Sequence, residues 1–177
     1  MSIPIRNADR SHVLAGERTF FVTSSTWGKT GLLQSARAAS LIIDMLYHYR
    51  QQRKYLLHEF VIMPEHFHVL ITVDAEMTVE KAAQLIKGGF AFRAGRELGF
   101  RAPVWQKGFS EVRVNEREAF LGMREYIHAN PVKRFLATIG GDYPYWSAYA
   151  EFELDPPPGR LKALPEGAAF GIAKAMP

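Results

Sequence analysis

Two apolar runs, Tyr55 to Met63 (YLLHEFVIM) and Phe67 to Val73 (FHVLITV), flank a break at Pro64-Glu65. Each is rich in aromatic and branched side chains, is too short for a typical helix, and is bounded by a turn signal, which reads as a strand. A break this short makes the two runs a hairpin. Because a lone hairpin is marginal in water, the remaining chain must complete a sheet and cover it.

The flanking segments supply both. Thr19 to Thr26 (TFFVTSST) is a further strand, ending at the Trp27-Gly28-Lys29 turn. From Leu33 to about Arg53, apolar residues recur at Ala39, Ile42, Ile43, Leu46 and Tyr49, one face of a helix. A second helix is expected from Thr78, as its cap, to Leu98, with Val79, Ala82, Ala83, Ile86 and Phe90 as its stripe. Gly88-Gly89 in its middle points to a close backbone approach or a kink. Phe109 to Val114 is a fourth strand, and Asn115 with Glu118 marks the start of a third helix that Pro131 should stop after Asn130. The order β-α-β-β-α-β-α predicts an α+β ferredoxin-like (RRM-like) sandwich, an antiparallel sheet with helices on one face and the other face open.

A chain of 177 residues, 47% of them apolar, has room for one packed domain. We assign that domain to residues 1–149 and expect residues 150–177, where EFELDPPPGRLKALPEG shows no periodicity, to be an extended Pro/Gly-rich tail. The tail's position and acidity raise the question of whether it masks a site on the body. Cys is absent, which excludes disulfides and thiolate metal sites. No run reaches membrane-spanning length and MSIPIRNADR lacks a continuous apolar stretch, so a cytoplasmic location without membrane contact is the expectation. Net charge is +4, and the acidic tail leaves the body more basic than the whole, which favours a polyanionic partner.

Alternation across the third strand puts His66 and His68 on one face, with Phe67, Val69 and Ile71 on the other. Paired imidazoles on a strand are hydrogen-bonded histidines or, where further polar groups converge, ligands for a divalent cation. On the third helix Tyr126 and Asn130 stand one turn apart. Facing the histidines, the Asn130 amide oxygen would complete a three-ligand metal site, and the Tyr126 phenol would lie beside a bound phosphate. Such a phenol becomes a nucleophile when a cation lowers its pKa and neutralises the phosphodiester it attacks. The resulting phosphotyrosine linkage conserves the bond energy and allows rejoining without ATP, consistent with the lack of a GxxxxGK[ST] loop.

Four ordered blocks carry a family resemblance: VIMPEHFHVLIT at 61–72, IKGGFAFRA at 86–94, WQKGFSE at 105–111 and YIHANPVKR at 126–134. Together they resemble the REP-associated tyrosine transposases, a branch of the single-tyrosine HUH transposases. The resemblance implies a ferredoxin-like core, a Mg²⁺ or Mn²⁺ cofactor, and cleavage of single-stranded DNA near hairpins through a 5′-phosphotyrosine intermediate. It assigns His66 and His68 to the HUH pair, Tyr126 to the nucleophile, and Asn130 to the polar third ligand. Glu65 is either a partner of that pair or a turn residue. The resemblance leaves open both a monomer and a homodimer in which the tyrosine helix reaches across.

For DNA contact the sequence offers Lys87, Lys107, Arg93, Arg113 and Trp105, the last reading equally as a core residue in its apolar surroundings, with Arg96, Arg101, Lys133 and Arg134 as further cations. A non-catalytic nucleic-acid binder on the same sandwich is the rival reading, either an RNA-recognition domain or a domesticated hairpin-binding descendant. No aromatic-rich RNP1 pattern is found, and the strand that would carry it holds histidines.

Overall fold

The computed structural model describes residues 16–138, 142–149, 152–159 and 161. Four strands, β1 (Arg18–Ser25), β2 (Leu56–Met63), β3 (His66–Val73) and β4 (Ser110–Val114), form one antiparallel sheet in the order β2-β3-β1-β4. Three helices, α1 (Ala36–Gln51), α2 (Val79–Glu97) and α3 (Arg117–Lys133), complete the expected β-α-β-β-α-β-α succession. Placing β1 and β3 centrally and β4 and β2 at the edges gives the ferredoxin-like arrangement. Among the described residues no helix is long and apolar enough to cross a membrane.

Local chemistry accounts for the elements. Ser35 and Thr78 cap α1 and α2 by accepting hydrogen bonds from the Ala38 and Lys81 amides. One sheet face carries Phe20, Val22, Phe60, Phe67, Val69 and Ile71, which bury against Leu41, Ile42, Leu46, Ile86 and Phe90 of α1 and α2. Within α2, a Cβ at Gly89 would stand 2.7 Å from the Tyr49 hydroxyl and 3.0 Å from Met45 Sδ, so glycine permits the close approach of α1. The helix runs through the Gly88-Gly89 pair unbroken.

Three expectations need correction. The second sheet face is not open: α3 lies across it, burying Phe120, Met123 and Ile127 against Phe21, Val61, Met63 and Leu70. Pro131 does not stop α3, which continues to Lys133. A proline so near the end forfeits a single intrahelical donor, while the Arg134 and Leu136 amides still reach the carbonyls of Asn130 and Pro131. The start of α3 is also shifted: Glu116 occupies the cap position without a side-chain hydrogen bond, so Asn115 is not the cap.

Beyond α3 the chain returns along the β2 edge. The Ile62 amide donates to Tyr145 O, the Ser147 amide to Phe60 O, and the Tyr143 hydroxyl to Ile62 O, which covers an otherwise unpaired edge. Residues 152–158 are extended but docked. Asp155 holds Arg50 through two hydrogen bonds of 2.8 and 2.9 Å and accepts the Leu57 amide at 2.8 Å. Leu57 pairs with Ile71 and Met63 with His66, so Asp155 sits at the end of the sheet opposite His66, and this part of the tail does not mask the histidines. The last residues of the tail fall outside the described set.

Candidate active site

The sheet register builds the site. Thr23 lies opposite His68 and Ser25 opposite His66 on the α3 face, at the β3 end next to the Pro64-Glu65 turn. The two histidine Nε2 atoms approach to 3.1 Å. Their Nδ1 atoms face outward, that of His68 to the Thr23 hydroxyl at 2.7 Å and that of His66 to Glu65 Oε1 at 3.2 Å. Because the Glu65 carboxylate can only accept from Nδ1–H of His66, the Nε2 lone pair of that ring is directed at its neighbour. With Thr23 accepting from Nδ1–H of His68, the two lone pairs converge, and a proton or cation between them satisfies both.

Burial, the His66 ring and the Arg134 charge hold the His68 imidazole well below the usual histidine range. Burial also lowers His66, with Glu65 opposing and Arg134 and Lys29 adding to the effect. Both rings are therefore neutral, the form that binds a metal. Among the described residues no three His, Cys, Asp or Glu side chains cluster in metal-holding geometry, so a third protein ligand here has to be of another type. Asn130, only 6% exposed, lines the same cleft.

The cleft, about 290 Å³, is lined by Thr23, Ser25, Lys29, Glu65, His66, His68, Tyr126, Asn130 and Arg134. Helix α3 delivers Tyr126, whose ring meets His68 edge-on at 5.2 Å and Phe21 at 5.8 Å. Phe21 stacks on His68 at 5.1 Å, and the Lys133 ammonium lies 5.8 Å from the Tyr126 ring centre. Glu65 lies between His66 and Arg134 and bonds to both, more than a turn residue requires.

The residues read as DNA contacts fare differently. Lys87 is engaged by the protein: its ammonium donates to the carbonyls of Gln106, at 3.1 Å, and Gly108, and burial pushes its pKa down to about 8. Trp105 is half-buried: it packs against Phe67 and Phe90 and donates its indole N–H to Lys87 O. Arg93 is engaged by Glu97 on its own helix, with Asp44 at 3.8 Å. Arg113 is half-buried on β4, opposite Phe20, on the sheet face away from the cleft. Lys107 alone of these five is exposed without an ion pair among the described residues. The reading missed Thr23 and Lys29 in the cleft.

Comparison with known proteins adds to this geometry. Residues 29–130, more than half of the chain, match the family model described as Transposase IS200 like. This chain belongs to the IS200-like transposase family. The matched span holds His66, His68, Tyr126 and Asn130 together. A Haemophilus influenzae protein provisionally named a REP-associated tyrosine transposase is 22% identical over 159 residues, covering 80% of this chain and 90% of its own. The structure of a REP-associated tyrosine transposase bound to a REP hairpin superposes with a TM-score of 0.61 at 22% identity, covering 79% of this chain and 82% of that one. The structure of a Deinococcus radiodurans protein provisionally named a transposase gives 0.51 at 16% identity, covering 68% of this chain and 95% of that one. The family resemblance carried by the four sequence blocks is thus matched in both sequence and fold.

Proposed function

We propose that this transposase-family protein is a metal-dependent single-stranded DNA endonuclease and strand transferase, cleaving near hairpins with Tyr126 as its nucleophile. The observation that carries the reading is the Tyr126 ring set against His68 in a cleft where two neutral imidazoles direct Nε2 at each other. Mg²⁺ or Mn²⁺ is the ion the family resemblance implies, and His66, His68 and the Asn130 amide oxygen would be its protein ligands, two imidazoles favouring Mn²⁺ of the pair. Such an ion, when bound, would neutralise phosphate charge and ease ionisation of a neighbouring phenol.

The chain's own groups do the rest. Thr23 and Glu65 hold the imidazoles with Nε2 toward the cleft. Lys29 and Arg134 supply positive charge for a polyanionic strand, and α3 fixes the phenol beside the histidines. The Tyr126 oxygen attacks phosphorus and the P–O3′ bond breaks; the phenol releases its proton and the departing 3′ oxygen takes one up. A 5′-phosphotyrosine and a free 3′-hydroxyl result, and attack by another 3′-hydroxyl reverses the linkage without ATP. Since Tyr126 adjoins the histidines of its own chain, the reaction so written needs one chain.

The test is a labelled single-stranded hairpin oligonucleotide with Mn²⁺, scored for a denaturant-resistant protein-DNA adduct. An adduct from the wild type, absent from Tyr126→Phe, from His66→Ala and in EDTA, is the expected outcome. Survival in Tyr126→Phe moves the nucleophile elsewhere. Hairpin binding with no adduct under any condition supports the binding-only alternative.

A further inference from the structure

The cleft-lining cations are each chain neighbours of an exposed aromatic. Trp27, 46% exposed, precedes Lys29 by two residues, and Phe135, 95% exposed, follows Arg134 directly. Neither aromatic contributes to either core. Both pairs sit on turns with left-handed backbone, φ being 61° at Gly28, 51° at Lys29 and 57° at Phe135. For a lysine and a phenylalanine that conformation is costly and persists only where the surroundings enforce it.

The surroundings do enforce it. The Trp27 amide donates to Val104 O at 2.9 Å, the Lys29 amide to Thr26 O at 3.0 Å, and the Thr30 hydroxyl to Trp27 O at 2.9 Å. Thr26 ties the same turn to Glu65 O, one residue before His66, through its amide at 2.9 Å, while its hydroxyl proton goes to Thr30 O at 2.6 Å with Glu65 O as the longer alternative at 3.0 Å. At the other turn the Phe135 amide donates to Val132 O and the Leu136 amide to Pro131 O. Two apolar rings are thus carried into water on hydrogen-bonded turns whose neighbouring cations line the cleft, and Lys29 has no ion pair among the described residues.

We infer that Trp27 and Phe135 are base-stacking platforms for single-stranded DNA, one on each flank of the cleft, with Lys29 engaging an adjoining phosphate and Arg134 engaging another through the guanidinium donors its bond to Glu65 leaves over. The inference rests on the strand-transferase reading and names how its substrate is held. An extended strand offers alternating phosphates and flat apolar bases, and each cation-aromatic pair matches one such unit. A ring mounted on a turn whose backbone is already fixed gives up only its own rotamer freedom when a base stacks on it. Recognition of this kind tolerates any base, so it explains grip on the strand and leaves hairpin choice to other contacts.

The test measures binding of a labelled single-stranded oligonucleotide in EDTA, where cleavage cannot occur. Trp27→Ala and Phe135→Ala should each weaken affinity by roughly 5- to 150-fold, in line with about 1–3 kcal/mol per stacked base. Trp27→Phe and Phe135→Trp should keep most of it. Phe92→Ala, which removes another exposed aromatic, under Arg96 on α2, should bind as wild type does. Lys29→Gln should lower the slope of log K against log salt by about 0.7. If both alanine variants bind like wild type, the inference is wrong, and adduct formation by wild type with Mn²⁺ shows whether the strand-transferase reading survives it. Loss of self-association at unchanged DNA affinity would instead make these rings a contact between copies of the chain and overturn the proposal. A wild type that binds through both rings yet forms no adduct leaves the platforms standing and removes the chemistry.

Discussion

Thr23 decides which face of His68 meets the cleft. Its hydroxyl, 2.7 Å from Nδ1, is the partner that keeps Nε2 free, and no other partner of that Nδ1 is found among the described residues. Thr23→Val, which keeps shape and removes the hydroxyl, should weaken Mn²⁺ binding by about 10- to 100-fold while Thr23→Ser retains it, as read by metal titration. Equal affinity in all three would show that the ring is oriented by Phe21 stacking alone. The histidine pair was legible in the sequence because strand alternation needs only a period of two. Thr23 was not, because its place opposite His68 is set by the pairing of β1 with β3, 45 residues away in the chain. Trp105 was legible only in part for a related reason: an amphipathic ring in an apolar loop reads equally well as packing or as a stacking surface, and only the fold shows that Lys87 O satisfies its N–H.

Helix α2 shows how far local pattern reaches and where packing takes over. The paired glycines marked a close approach, yet the two positions differ in a way the sequence does not encode: a Cβ at Gly88 meets nothing within 4 Å, whereas at Gly89 it meets Tyr49 and Met45. Gly88→Ala should therefore stabilise the protein by about 0.5–1 kcal/mol through helix propensity alone. Gly89→Ala gains the same propensity but must displace the Tyr49 hydroxyl and Met45 Sδ, so it should be neutral or destabilising in urea denaturation. Equal effects would mean that α1 yields freely at this contact. The extra turn of α3 past Pro131 was illegible for a different reason. Proline's cost is local, and what offsets it is tertiary: His128 donates from Nε2 to the buried Glu59 carboxylate at 2.9 Å, and Ser147 donates to the same carboxylate at 2.5 Å. This clip binds the tyrosine helix to the edge strand and to the returning chain.

At the scale of the whole molecule, the C-terminal segment and the acid response are one question, because His58 joins them. The Asp155 carbonyl can only accept, so His58 donates from Nδ1, and its Nε2 then accepts from Thr72, which is bonded onward to Thr19. Burial lowers His58 below the ordinary 6.5, as it does His66 and His68. In the unfolded chain these imidazoles take up protons near pH 6.5, while the folded protein does not, so stability is fully present above that pH and falls as pH drops below it. Each such histidine contributes at most about 1.4 kcal/mol per pH unit. Asp155, whose carboxyl burial pushes up but Arg50 and the Leu57 amide together draw below 3.8, titrates under this window and does not confuse it. A chain ending at Tyr149 loses the Arg50 and Leu57 partners and uncovers His58. It should therefore be less stable at neutral pH, and its stability should fall less steeply between pH 6.5 and 5, because a hydrated His58 titrates alike in both states. Urea denaturation of the two chains across that range reads both effects. A parallel fall would mean that His58 stays buried without the segment; equal stability at pH 7 would mean that the segment rests on the sheet without holding it.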